Sequence, residues 1–260
     1  MKRIIIIMNV VTLIFLMSCG QQGTEKKTPE ESTGGEFEQK ANTLNQTEID
    51  EGWVLLFDGE NTDHWRSYNR ENFPEKGWVA EDGTLHVLGS GKGEAGGGGD
   101  IITRNQYKNF ELSLEWKVSE GGNSGIFYLA REKADQPIWK SAPEMQILDN
   151  AKHPDATLGV EGNRAAGALY DLIPANPQNA KPAGEWNHVK ILVFKGTVVH
   201  WMNGENVLEY HLWTPDWKTM VANSKFKDYE DFVNTAQEGY IGLQDHGDDV
   251  WFRNIKIREL

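Results

Sequence analysis

The segment Glu144-Met145-Gln146-Ile147-Leu148-Asp149 carries the clearest chemistry in the chain. Read as a strand, it alternates: Glu144, Gln146 and Leu148 point one way, Met145 and Ile147 the other. The apolar pair suits the space between two sheets. Glu144 and Gln146 then project from the opposite face, where a carboxyl can move a proton and an amide can hold a hydroxyl or an oxyanion. Asp149 closes the segment and could supply a second carboxyl. A second constellation is Gly239-Tyr240-Ile241-Gly242-Leu243-Gln244-Asp245-His246-Gly247. Here Ile241 and Leu243 share one face, while Gln244 and His246 share the other. Histidine is the side chain best suited to exchange protons near neutral pH. Glu144, His246 and Asp149 are therefore the candidate catalytic residues. Candidate substrate contacts are Gln146, Gln244, Asn123, Ser124, Tyr170, Asp100, Lys181 and His153. Asn123-Ser124 opens a strand after two glycines, Asp100 follows a glycine run, and His153 projects from a loop beside Pro154. Tyr170 and Asp171 alternate, so at most one of them reaches a cleft. No spacing of His, Cys or carboxylates has the form of a metal site. No cofactor is evident, although a divalent metal such as calcium, held by backbone and Asp oxygens, is compatible with the sequence.

These side chains need a rigid frame, and the pattern around them is one of short strands. Phe110, Leu112, Leu114, Trp116 and Val118 alternate with Glu111, Ser113, Glu115 and Lys117, and Val189, Ile191 and Val193 repeat that period of two. Further strands are expected at Trp53–Phe57, Trp78–Glu81, Thr84–Leu88, Gly125–Ala130, Glu144–Leu148, Ala168–Leu172, Thr197–Met202, Val207–Leu212, Tyr240–Gln244 and Val250–Ile257. Asp82-Gly83 and Asn203-Gly204 are hairpin turns. Val250 and Phe252 are out of phase with Ile255 and Ile257, so a bulge at Arg253-Asn254 is required for all four to face a core. One helical turn or two fits Asp228–Thr235, and no longer amphipathic helix is present. Many short strands with few helices specify an all-β fold, a jelly-roll β-sandwich of two antiparallel sheets. Trp186 reads as a core residue. Gly89–Gly99 is glycine-rich but lacks a following Lys-Ser/Thr and helix, so it is not a nucleotide loop.

The formal charge of -13 disfavours nucleic acid and anionic membrane as partners and leaves small-molecule sugars or oligosaccharides acceptable. Ten tryptophans supply core filler and, at two or three positions, faces for stacking on a sugar. Met1-Lys2-Arg3 followed by an apolar run to Met17 is a signal peptide over residues 1–18. Leu16-Met17-Ser18-Cys19 resembles a bacterial lipobox, with Cys19 lipidated. Residues 19–47 are polar and serve as a flexible tether, leaving 48–260 as the folded domain. The expected place is the cell envelope, lipid-anchored and most simply at the outer membrane, on its periplasmic or surface face. Cys19 is the only cysteine, so the domain has no disulfide. The oligomeric state is left open.

Taken in order, several segments resemble the 3-keto-disaccharide hydrolase domain family. They are Gly52-Trp53-Val54-Leu55-Leu56-Phe57-Asp58-Gly59 with Trp65, Trp78-Val79 with Asp82-Gly83, Tyr107 with Asn109-Phe110, and Asn123-Ser124-Gly125-Ile126. Glu144-x-Gln146-x-x-Asp149, Gly184-Glu185-Trp186-Asn187, Gly242–Gly247 and Phe252-Arg253-Asn254-Ile255 continue the series. The resemblance implies a concanavalin-like sandwich acting on glycosides oxidised to a ketone at C3. The ketone acidifies the C2 proton, so a base at C2 and a donor at the leaving oxygen allow elimination, and water then adds to the enone. Glu144 and His246 are the implied acid–base pair, with roles unassigned. Glu144-x-Gln146-x-x-Asp149 also resembles the Glu-x-Asp-x-x-Glu strand of laminarinase-type glycosidases, with an amide replacing the middle carboxylate. Two other readings follow. One is an ordinary glycosidase using Glu144 and Asp149, which requires carboxyls about 5–5.5 Å apart for retention. The other is a non-catalytic, lectin-like sugar-binding lipoprotein.

Overall fold

The computed structural model describes residues 39–91 and 96–260. The expected signal peptide, Cys19 and the expected tether up to residue 38 lie outside the described residues. The elements in chain order are α1 (Gln46–Asp50), β1 (Val54–Leu55), β2 (Trp65–Ser67), β3 (Trp78–Glu81), β4 (Thr84–Val87), β5 (Ile101–Thr103), β6 (Phe110–Val118) and β7 (Asn123–Ala130). They continue with β8 (Glu144–Leu148), β9 (Asn187–Phe194), β10 (Thr197–Met202), β11 (Glu205–His211), α2 (Pro215–Ala222), α3 (Glu230–Val233), β12 (Tyr240–Leu243) and β13 (Val250–Glu259).

Two antiparallel sheets form the expected jelly-roll sandwich. The larger runs β11-β10-β9-β6-β13-β4-β3, with β1 also pairing β13, and the smaller runs β2-β5-β12-β7-β8. The alternating apolar residues meet between them. Leu112, Leu114 and Trp116 of β6 and Val189, Ile191 and Val193 of β9 pack in one core with Ile126, Tyr128, Met145, Ile147, Ile241 and Leu243 of the smaller sheet. The bulge expected at Arg253-Asn254 is present: the β13–β6 register shifts between Arg253 and Lys256, and Asn254 takes φ 53°. Val250, Phe252, Ile255 and Ile257 are all buried as a result. Both residues of each hairpin turn, Asp82-Gly83 and Asn203-Gly204, have positive φ, which gives the twist that antiparallel strands prefer. Three polar side chains pair with one another inside the core: the Tyr128 hydroxyl lies 2.9 Å from His200 Nε2 and 2.6 Å from the Tyr210 hydroxyl, and His200 Nδ1 lies 3.1 Å from the Gly167 carbonyl oxygen.

Four expectations need correction. The folded unit starts at Gln39, so residues 39–47 belong to the domain and not to the tether. Asn42 exchanges hydrogen bonds with Asn254 at the bulge (N to Oδ1 2.6 Å, and 2.8 Å in return), and the Asn45 side chain caps α1. A polar sequence thus orders because its side chains satisfy a distant bulge, which local composition does not reveal. Ala168–Leu172 is not a strand: Leu169 makes only isolated bridges to Met145 and Ile173. A helix of eight residues, α2, was not expected; Pro215 at its first turn and the Thr214 hydroxyl accepting from Trp217 N fix its start. Trp186 is half-exposed on the outer face of the larger sheet, with Arg253 4.1 Å and Lys117 5.1 Å from its ring centroid.

Candidate active site

The outer face of the smaller sheet holds an open pocket of about 350 Å³. Register explains its floor. Leu243 of β12 pairs with Ile101 of β5 and with Ile126 of β7, and Gly125 pairs with Gln146 of β8. Asp100, Gln244, Gly125 and Gln146 therefore form a row across four strands on one face. Gly125 is the gap in this row. A Cβ there would lie 2.0 Å from Glu144 Oε1. The Glu144 side chain thus lies over the Gly125 backbone, and only glycine leaves it that space. As the strand reading expected, Met145 and Ile147 face the core while Glu144 and Gln146 face the pocket.

The electrostatics of this floor are unusual for a sheet surface. Glu144 is only 7% exposed, and burial pushes its carboxyl up to about 8. The Lys225 ammonium opposes that rise, and the charges of Asp100 and Asp155 add to it. Burial likewise raises Asp100 to about 7, against a hydrogen bond from Asp245 N to its Oδ1 at 3.1 Å. Gln146 is 1% exposed and both of its amide atoms lack partners; the Oδ1 of Asn123, 3% exposed, also lacks one. Buried polar atoms without partners cost stability, so their presence in a pocket wall points to a polar ligand that completes them. His246 stands beside Asn123, with Nε2 3.4 Å from Asn123 Nδ2.

Of the residues expected from sequence, Glu144, His246, Gln146, Gln244, Asn123, Tyr170 and Asp100 all line this pocket. Four do not. Asp149 is a turn cap outside the pocket lining: its carboxylate accepts from Gly121 N at 2.7 Å and Ala151 N at 3.0 Å. Ser124 pairs with Ile147 across β7–β8, is fully buried, and donates to the Gln244 carbonyl at 2.8 Å. Lys181 lies in the turn before β9 and donates to the Trp186 carbonyl at 3.0 Å. His153 caps the 3₁₀ turn Pro154–Thr157, accepting from Asp155 N, and its ring meets His246 edge-on at 6.3 Å behind the pocket wall. Among the described residues, no group of three or more His, Cys, Asp or Glu is arranged to hold a metal ion.

Other wall residues come from loops that sequence reading passed over. Trp139 lies in the 3₁₀ turn Ile138–Lys140 and meets Tyr229 edge-on at 5.3 Å. It is the one tryptophan lining this pocket, fewer than the two or three expected. Lys225 sits 4.1 Å from the Tyr170 ring centroid, and Tyr170 donates to Asp155 Oδ2 at 3.0 Å. The loop bearing Lys225 and Tyr229 is anchored by a run of stacked rings: Tyr210 on Trp217 at 5.6 Å, Trp217 on Phe232 at 5.8 Å, and Phe226 on Phe232 at 4.1 Å. Asp245 fastens the glycine loop by accepting from Gly98 N and Gly99 N at 2.8 and 2.9 Å. A polar floor with an aromatic rim, in a pocket of this size, is built for a sugar ring.

The sequence profile of the 3-keto-alpha-glucoside-1,2-lyase-like domain matches residues 52–258. The chain belongs to this family. A protein of Bacteroides thetaiotaomicron named 3-keto-disaccharide hydrolase is 48% identical, over 94% of each chain. Among solved structures, a Parabacteroides distasonis protein carrying a provisional glycosyl hydrolase name is 31% identical with a TM-score of 0.76, over 85% of this chain and all of that one. A second protein of the same organism, similarly named, is 29% identical with a TM-score of 0.63, over 80% and 99%. Family membership places the Gly125 gap and the Glu144–Gln146 pair inside the matched region.

Proposed function

We propose that this chain is a hydrolase that cleaves glycosides whose sugar carries a ketone at C3, by elimination and hydration. The observation that carries this reading is Glu144: a buried carboxyl, kept protonated near neutrality, beside the unpartnered amide of Gln146. The C3 ketone makes the C2 proton acidic. His246 takes that proton, the electrons form C1=C2, and the C1–O bond breaks with Glu144 donating its proton to the leaving oxygen. Charge that develops on the C3 oxygen is met by the Gln146 amide N–H, which has no competing partner to give up. Water then adds at C1 and C2 is reprotonated, giving a 3-keto sugar and an alcohol. Such a route needs no carboxylate nucleophile, which fits the use of Asp149 as a turn cap. The test is incubation with matched native and 3-keto glycosides while following aglycone release. Release from the oxidised series alone is expected. Equal cleavage of native glycosides would favour an ordinary glycosidase, and binding of both without turnover a lectin-like role.

We also propose that Cys19 is the lipidated N-terminus of the exported protein, with residues 19–38 as its tether to the outer membrane. Cys19→Ala should move the protein from the membrane to the soluble fraction of the envelope; unchanged fractionation would rule the anchor out.

A further inference from the structure

Elimination leaves Glu144 ionised where the C1 oxygen departed, and the hydration that follows needs a base for the attacking water, either that carboxylate or a second group. The pocket holds one ionisable side chain suited to this that the elimination does not use. Asp100 stands at the end of the row across the sheet, separated from Gly125 by the strand that carries Gln244. Because the Glu144 carboxyl lies over Gly125, two strand spacings, roughly 10 Å, separate the backbone positions beneath the two carboxyls. Side chains standing on positions that far apart leave room between them for a water beside a sugar ring. Among the described residues, the only hydrogen bond to the Asp100 carboxyl comes from Asp245 N to Oδ1, so Oδ2 is free to face the cavity. Asp100 is half-buried, more open to solvent than Glu144.

Resting on the keto-glycoside reading, we propose that Asp100 is the general base of the hydration step, and that elimination proceeds without it. Water adds its oxygen to C1 of the enone while one of its protons passes to the Asp100 carboxylate. The C1=C2 electrons shift to C2, which takes back the proton held by His246. The proton on Asp100 then leaves to solvent, and the one Glu144 gave to the alcohol is replaced from solvent. A carboxyl raised by burial to about 7 is a stronger base than a solvated one and is still substantially ionised at neutral pH.

The test is Asp100→Asn, which keeps an oxygen to accept from Asp245 N. In single turnover with a 3-keto glucoside, aglycone, enone (by its absorbance) and hydrated keto sugar are followed together. Aglycone release should slow about tenfold, because the lost Asp100 charge also helps hold up the Glu144 carboxyl that donates to the leaving oxygen. Hydration should slow at least 100-fold, so that enone accumulates, and enone supplied directly should also fail to hydrate. Formate should restore hydration, but not alter aglycone release, in Asp100→Ala; a purely structural role would show no such rescue. The inference is overturned if Asp100→Asn hydrates as fast as the wild type, or if aglycone release falls as far as hydration. A wild-type protein that leaves the keto glucoside intact overturns the keto-glycoside reading itself, a result distinct from either.

Discussion

Replacing Glu144 by Gln should end turnover and at the same time stabilise the fold, increasingly so as pH rises. The carboxyl moves from 4.5 when solvated to about 8 in the native protein. Between these values the unfolded chain has released its proton while the native state keeps it. The native state therefore binds more protons, and stability falls as pH rises through that window. No cost exists below about pH 4.5, and the full cost is reached above about pH 8. Each pH unit is worth about 1.36 kcal/mol, so the ceiling is about 5 kcal/mol. The pull of Lys225 toward the ionised form is already contained in that value. The amide that replaces the carboxyl is neutral, of similar shape, and carries no such penalty. The gain of Glu144→Gln over the wild type, from urea unfolding followed by far-ultraviolet circular dichroism, should be under about 1 kcal/mol at pH 5 and several kcal/mol at pH 8. The matching rise in Tm is about 2–4 °C per kcal/mol for a domain of this size. A gain that does not change with pH, or a variant less stable at pH 8, would mean that Glu144 is ionised and anchored by Lys225, and the donor role given to it would fall.

Three further outcomes test the site. Gln146→Leu should leave stability unchanged or raise it by about 1 kcal/mol, because two unpartnered buried atoms disappear, while kcat/KM for a 3-keto glycoside falls at least 100-fold; a destabilised variant would show that the amide is satisfied by the fold. Gly125→Ala places a Cβ 2.0 Å from Glu144 Oε1 and should displace that carboxyl, lowering kcat at least 100-fold and bringing down the basic limb of the pH–rate profile; wild-type kinetics would remove Glu144 from that position. Asp149→Ala should cost about 1–2 kcal/mol in urea unfolding through loss of its turn hydrogen bonds, with turnover within a few-fold of wild type; a 1000-fold loss of turnover would restore the two-carboxyl glycosidase reading.

The lettering of the strands settled the architecture before any coordinates. Period-two alternation in β6, β8, β9 and β13 assigned each side chain to the core or the outer face, and the phase break at Arg253-Asn254 required the bulge that the structure contains. The same alternation brought Glu144 and Gln146 out on one face of β8, because a pleated backbone offers a side chain only two directions, whereas Gln244, Asp245 and His246 follow the end of β12 and all three line the pocket. What alternation does not encode is which strands become neighbours. Asp149 and Ser124 sit within three residues of pocket positions in sequence, yet one turns back to cap its own loop and the other points between the sheets. Lys225, Tyr229 and Trp139 lie in loops without period, and reach the pocket only because a stack of buried rings and a 3₁₀ turn carry them there. The placement of Asp100 opposite Gln244, and of the Glu144 carboxyl over a glycine on the adjoining strand, arises from long-range register. The sequence by itself determined the face each strand residue takes, since that follows from local backbone geometry. Only the tertiary structure decided which faces meet, and with them the burial that sets the acidity of the two carboxyls, since desolvation is a property of everything packed around a group and not of its neighbours in the chain.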